Sequence, residues 1–73
     1  MNRIVVLGEP EHVGGFRLAG ATVVEATEPA AVERAWQALP ADTTLLVLTP
    51  RAASIVGARL RERAGLVWAV MPV

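Results

Sequence analysis

The stretch Thr44-Leu-Leu-Val-Leu-Thr-Pro-Arg51 contains an unbroken run of large aliphatic residues with no polar alternation. A strand with one face in water alternates apolar and polar residues, so this run predicts a strand buried on both faces. Thr49 and Pro50 are residue types typical of the first positions of a helix. A doubly buried strand that runs directly into a helix is the building unit of a parallel α/β sheet.

The rest of the chain repeats this strand–helix pattern. Ile4 to Leu7 form a second aliphatic run that ends at Gly8, and we interpret the two runs as the central strands. The pattern predicts strands at residues 3–7, 21–26, 44–48 and 66–70, with helices at about 11–19, 29–39 and 50–63. Short connections favour right-handed crossovers. The predicted fold class is α/β: a small doubly wound, receiver-like parallel sheet of strand order 2-1-3-4, β-α-β-α-β-α-β, without a C-terminal helix.

Length and composition limit the classes of function. The 73 residues are enough for one domain, which we assign to residues 1–73, and 53% of them are hydrophobic, which predicts a genuine core. The formal charge of zero gives no general attraction to nucleic acid or to a membrane surface. Without cysteine there is neither a disulfide nor a thiolate metal site, which fits a cytoplasmic protein. No stretch approaches the about 20 apolar residues of a membrane span.

Polar residues follow the two central strands, where doubly wound sheets bind ligands. Gly8, Glu9 and His12 come from one strand end, and Thr49 and Arg51 from the other. The histidine has no evident second metal ligand, and the glutamate places negative charge where a pyrophosphate would lie. Thr49 stands where a receiver domain needs its phosphoacceptor aspartate. We therefore predict no catalytic residue, cofactor or metal, and keep a small-anion site at Thr49 and Arg51 as an alternative.

The predicted topology leaves part of the sheet uncovered. The helix after the first strand lies on one face and the other two helices lie on the opposite face, so the first helix cannot also cover the third and fourth strands. Large apolar patches on a soluble protein mark interfaces. We expect residues 45–48 and 66–70 to be sheltered by a partner protein, or by self-association when the chain is isolated.

A more specific pattern is Gly15-Phe-Arg-Leu-Ala-Gly20. Together with the strand ending at Gly8, the acidic turn Glu9–Glu11, the Glu28-Pro29 helix start and the aliphatic run ending at Thr49, it resembles the F subunit of the A-type/V-type rotary ATPases. The Met71-Pro72 pair after the fourth strand extends the resemblance over the whole chain.

This resemblance implies a non-catalytic central-stalk (rotor) subunit that docks on the coiled-coil D subunit and couples ATP turnover to ion transport. It implies no cofactor, and a cytoplasmic position peripheral to a membrane-bound complex. The C-terminal helical tail of the family is absent from the sequence, so we expect the docking domain alone. The alternative is a stand-alone receiver-like adaptor or small-anion-binding module.

Folding does not by itself explain Arg17. It is a surface arginine, the partner of a local acid such as Glu11, or a direct contact with another protein of the complex. The residues predicted at the partner interface are Phe16, Arg17, Leu66, Trp68 and Val70.

Overall fold

The computed structural model describes residues 2–72, except for the side chains of Leu18 and Ala19; the ends of the predicted domain, Met1 and Val73, lie outside the described residues. The elements are β1 (Arg3–Gly8), α1 (Pro10–Val13), β2 (Thr22–Glu25), α2 (Pro29–Gln37), β3 (Thr43–Leu48), α3 (Pro50–Val56) and β4 (Val67–Val70), with 3₁₀ segments at Gly14–Ala19 and Gly57–Glu62.

The four strands form one parallel sheet of order β2-β1-β3-β4, which confirms the predicted fold class. β1 and β3 are central, and their register places Val5 beside Leu46 and Leu7 beside Leu48. These four side chains are fully buried. The two uninterrupted aliphatic runs therefore mark the middle of the sheet. The predicted burial on both faces is only half met within the chain, because these four residues share one side, while Leu45 and Val47 on the other side are partly exposed.

The main core lies between the sheet and the pair α2 and α3. Both helices begin with a proline at the first position. At α3 the hydroxyl oxygen of Thr49 accepts a hydrogen bond from the backbone N–H of Ala52 at 3.3 Å, as expected of an N-cap. The core cluster consists of Val5, Leu7, Ala26, Val32, Leu39, Leu46, Leu48, Ala52, Val56, Leu60 and Leu66.

All three predicted helices are shorter than the sequence pattern indicates; α2 ends two residues early, and the other two change helix type. The first is an α-helix only over Pro10–Val13 and continues as the 3₁₀ segment Gly14–Ala19; the third is α-helical over Pro50–Val56 and continues as Gly57–Glu62. In both, the change occurs at a glycine, which costs a helix about 1 kcal/mol relative to alanine. Gly20 ends the first of these segments with a φ of 84°, a left-handed conformation that suits glycine.

Candidate functional site

One side of the sheet is only half covered, and we call it the open face. Because residues in register on parallel strands point to the same side, the register places Ile4, Leu45, Val47, Val67 and Ala69 opposite the side packed by α2 and α3. Ile4 is 46% exposed and Val67 is 63% exposed. An apolar strip therefore runs across β3 and β4 in contact with solvent.

The helical segments that pack on this side of the sheet extend no further than β1. α1 and the following 3₁₀ segment contact β1 and β2, where they bury Val6 and Val13. Within residues 2–72 no helix lies over the β3 and β4 part of this side. The uncovered area is the one that the predicted topology indicated.

A groove of about 490 Å³ forms where the covered and uncovered parts meet. Its apolar lining includes Ile4, Val6, Phe16 and Val47, and Arg3 with Asp42 forms its polar margin. Phe16 is 38% exposed, although aromatic side chains of this size are mostly buried in a folded domain. The groove can therefore accept a large apolar side chain from another molecule.

Arg3 fixes the polar margin of the groove. Its Nε donates to Asp42 Oδ1 at 2.8 Å, and a terminal nitrogen donates to the Thr22 hydroxyl at 3.3 Å. The hydrogen bond from Arg3 and the positive charge of Arg3 lower the pKa of Asp42. The same hydrogen bond and the negative charge of Asp42 raise the pKa of Arg3. Three separate segments are thereby connected at one end of the sheet.

The predicted interface residues fall into three places. Phe16 lies in the groove on the open face. Leu66 is 7% exposed and belongs to the core cluster. Trp68 and Val70 are 36% and 49% exposed, and they share the register of Leu46 and Leu48, so they point to the side of α3. Their contact with a partner stays a prediction.

Arg17 pairs with an acid that the sequence pattern did not indicate. A terminal guanidinium nitrogen lies 3.1 Å from Glu25 Oε2, and both side chains are more than one third exposed. The pair connects the 3₁₀ segment to β2. An exposed ion pair of this kind contributes little stability, so Arg17 remains available for contact with another molecule.

The sequence analysis included Val47 and Val67 in the uncovered stretches 45–48 and 66–70, but it did not assign them to one side of the sheet and it missed Ile4. Their sides were hidden because an apolar run such as Val67-Trp-Ala-Val70 has no alternation that distinguishes its two sides. The pairing register supplies that information: every second residue of β4 shares a side with Leu45 and Val47.

The crevice at the carboxyl ends of β1 and β3 has a volume of about 340 Å³. Thr49 donates its hydroxyl hydrogen to Glu9 Oε1, and this hydrogen bond is the main cause of a lowered pKa of Glu9. His12 Nε2 lies 4.0 Å from the second oxygen of the same carboxylate. Arg51 donates from Nε to the backbone oxygen of Thr27 at 2.9 Å. An anion bound here would face the Glu9 carboxylate, so the small-anion alternative gains no support.

The described residues contain no group of three or more histidine, cysteine or acidic side chains placed to hold a metal ion. None of the helices within residues 2–72 combines the length and the apolar character that a bilayer crossing demands.

Comparison with known proteins identifies the family. The family model described as ATP synthase (F/14-kDa) subunit matches residues 4–72, which is nearly the whole chain. The chain belongs to this family. It is therefore a homologue of the F subunit of the A/V-type ATPases, as the Gly15–Gly20 segment and the strand pattern indicated. No curated protein and no solved structure matches the chain significantly.

Membership in the F/14-kDa subunit family indicates the function in general terms. The family supplies a peripheral subunit of an ATP synthase complex, which fits a non-catalytic subunit. The open face and its groove are the features of this member that are suited to contact with other proteins of such a complex.

Proposed function

We propose that this chain is a non-catalytic central-stalk subunit of a rotary A/V-type ion-translocating ATPase. It docks on the coiled-coil D subunit through the open face and couples ATP turnover to ion transport. The complex is attached to the membrane, and the chain lies on its cytoplasmic side. Membership in the F/14-kDa subunit family supports the assignment to the complex, and the open face supports the docking mode.

The single observation that carries the docking mode is the uncovered part of the sheet above β3 and β4. Neighbouring strands lie about 4.8 Å apart, so two strands and their margins give a strip about 10 Å wide. An α-helix with its side chains is about 10–12 Å across. The strip therefore accommodates one helix of a coiled coil, in the place that a further helix occupies in a complete doubly wound domain.

The contact chemistry follows from the exposed residues. Val67, Ile4 and Val47 offer aliphatic surface along the strip, and Phe16 stands at the margin of the groove. Burying a valine side chain fully is worth about 1.5–3 kcal/mol. Arg17 lies outside this apolar centre, where a charged contact contributes to orientation more than to affinity.

The test compares one residue type on the two sides of one strand. Val67→Glu places a charge on the open face, and Val70→Glu places the same charge on the α3 side of β4. Val67 is 63% exposed in the isolated chain, so a docked partner can bury about two thirds of its surface. We expect Val67→Glu to weaken binding to the purified D subunit at least about 10-fold, the equivalent of about 1.4 kcal/mol. Val70→Glu should change it by less than about 3-fold.

Binding is measured by titration calorimetry at low concentration, with circular dichroism as the control for folding. Equal effects of the two variants would show that the open face is not the docking site. Unmodified chain that fails to bind the D subunit, while capturing an unrelated adaptor target, would favour the receiver-like alternative.

A further inference from the structure

The outer edge of β4 is an unprotected strand edge. β4 is the last strand of the sheet, and all its residues are exposed. Natural proteins protect such edges with charge, proline, a bulge or a covering segment. Between Arg63 and Pro72 the chain has no charged residue, and the register of β4 on β3 is regular. This edge is distinct from the open face: the edge presents backbone N–H and C=O groups, whereas the open face presents apolar side chains.

The free backbone groups can be assigned from the pairing of β4 with β3. In a parallel ladder, alternate residues direct their N–H and C=O to the same neighbour. Met71 N donates to Leu48 O at 2.7 Å, so Met71 and, by alternation, Ala69 and Val67 face β3. Trp68 and Val70 consequently direct their N–H and C=O groups outward.

We propose that this edge pairs antiparallel with the same edge of a second copy of the chain, with Ala69 opposite Ala69. The two copies are related by a two-fold axis normal to the sheet. The open faces of both sheets then lie on the same side of the joined sheet, and both copies contribute the same residues to the contact, which is therefore isologous. In this register Trp68 and Val70 of each copy form hydrogen-bonded pairs with Val70 and Trp68 of the other. All outward N–H and C=O groups of the two strands are then satisfied.

The side chains fit the same register. Trp68 of each copy packs beside Val70 of the other on the α3 side, and aromatic–β-branched pairs are favourable across antiparallel strands. The two Ala69 residues meet at the axis, where a pair without hydrogen bonds brings Cα atoms to about 4.5 Å and small side chains fit best. The ladder ends naturally: Pro72 has no N–H, and the N–H of Leu66 is already bonded to Arg63 O at 3.3 Å.

The alternative register, with Trp68 opposite Trp68, is less favourable both for side-chain packing and for backbone hydrogen bonding. It would place two tryptophans directly opposite each other, and it would require the N–H of Leu66 that Arg63 O already occupies. No like charges face each other in the Ala69 register, since Arg63 is the nearest charge. The interface is small, because a four-residue edge is only about 13 Å long. It stays below the about 1,200 Å² of stable complexes, so the dimer forms only at high concentration.

The experiment uses the isolated full chain, which has no cysteine of its own. Ala69→Cys creates two thiols that face each other at about the Cα separation of a disulfide, 4.4–6.8 Å. Val67→Cys is the matched control on the same strand and the same side: in this register it lies opposite Met71 of the other copy, about 13 Å from its own equivalent. Under mild oxidation at high concentration we expect a discrete cross-linked dimer at least about 10-fold faster for Ala69→Cys.

A second variant measures the same contact without cross-linking. Ala69→Lys places two like charges directly opposite each other, which destabilises the pair, while Ala69 is exposed in the single chain. We expect the dissociation constant in sedimentation equilibrium to rise at least about 10-fold, with an unchanged circular dichroism spectrum. Equal cross-linking of both cysteine variants, cross-linking of Val67→Cys alone, fibres instead of dimers, or a monomer at all concentrations would overturn the proposal.

Discussion

Gly8 occupies a position where a side chain has no room, and its replacement by alanine tests how closely β1 and β3 approach at their carboxyl ends. A Cβ at Gly8 would lie 2.6 Å from Thr49 Oγ1 and 2.9 Å from Thr49 Cβ, with Cγ2 closer still. Thr49 is 1% exposed and cannot swing into solvent without leaving its site. Its hydroxyl also caps α3 and donates to Glu9.

The expected cost has two parts. Overpacking of a filled site costs about 1–3 kcal/mol. Displacing the threonine hydroxyl removes an N-cap worth about 1 kcal/mol. We therefore expect Gly8→Ala to lower the free energy of unfolding by about 2–4 kcal/mol, a large fraction of the total for a domain of this size.

Urea unfolding followed by circular dichroism measures this effect. Gly14→Ala is the matched control, because a methyl group at Gly14 would meet nothing within 4 Å and the φ of −56° is helical. Alanine at such a site stabilises a protein by about 0.4–1 kcal/mol. The two glycine-to-alanine changes should thus have opposite signs.

A double-mutant cycle with Thr49→Ala identifies the cause. This change removes both the methyl group and the hydroxyl that the new side chain would meet. We expect the double variant to be at least about 1 kcal/mol more stable than the sum of the single effects, since the two closest contacts are then lost and only the 2.9 Å approach to the Cβ of residue 49 remains. Strict additivity, or a cost below about 0.5 kcal/mol for Gly8→Ala alone, would refute the close-approach reasoning.

Two further predictions concern the carboxyl-end crevice and the core. Glu9 has a lowered pKa in the folded state, mainly through the hydrogen bond from Thr49. Its carboxylate therefore stabilises the fold at pH values above the pKa of a glutamate in the unfolded chain, about 4.3. This stabilisation is lost as the pH falls through the lower pKa of Glu9 in the folded chain. Glu9→Gln should therefore flatten the decline in unfolding free energy below about pH 5 while leaving the slope near neutrality unchanged; an unaltered acid decline would contradict this. Leu46 is fully buried, so Leu46→Ala should cost about 2–5 kcal/mol in urea unfolding. Val67→Ala, at a 63% exposed position, should cost less than about 0.5 kcal/mol, and equal losses would contradict the assigned core.

The strand order could be predicted because the central strands carry their own signal. Leu45 to Leu48 and Ile4 to Leu7 lack alternation, a pattern that is typical of the central strands of a parallel sheet. The prolines at helix starts and the threonine cap are equally local signals, and the structure confirms them. Where one residue type determines one backbone conformation, the sequence was sufficient.

Features that depend on pairing between distant segments were not predictable in the same way. The sides of Val67 and Trp68 follow from the register on β3, which no local pattern of β4 reveals. The partner of Arg17 is Glu25 rather than Glu11, because the turn at Gly20 brings β2 back beside the 3₁₀ segment. The shortened α1 reflects adjacent glycines, whose effect on helix type depends on tertiary packing.

The open face also makes the thermal stability of this domain a property of its surroundings. Any molecule that covers the strip binds the folded chain and not the unfolded chain, so it raises the melting temperature by mass action, with about 2.7 kcal/mol gained at a hundredfold excess over its dissociation constant. A chain without its cover remains closer to the unfolding threshold and is more accessible to proteases. The abundance of the protein in a cell is thereby coupled to the supply of whatever covers β3 and β4.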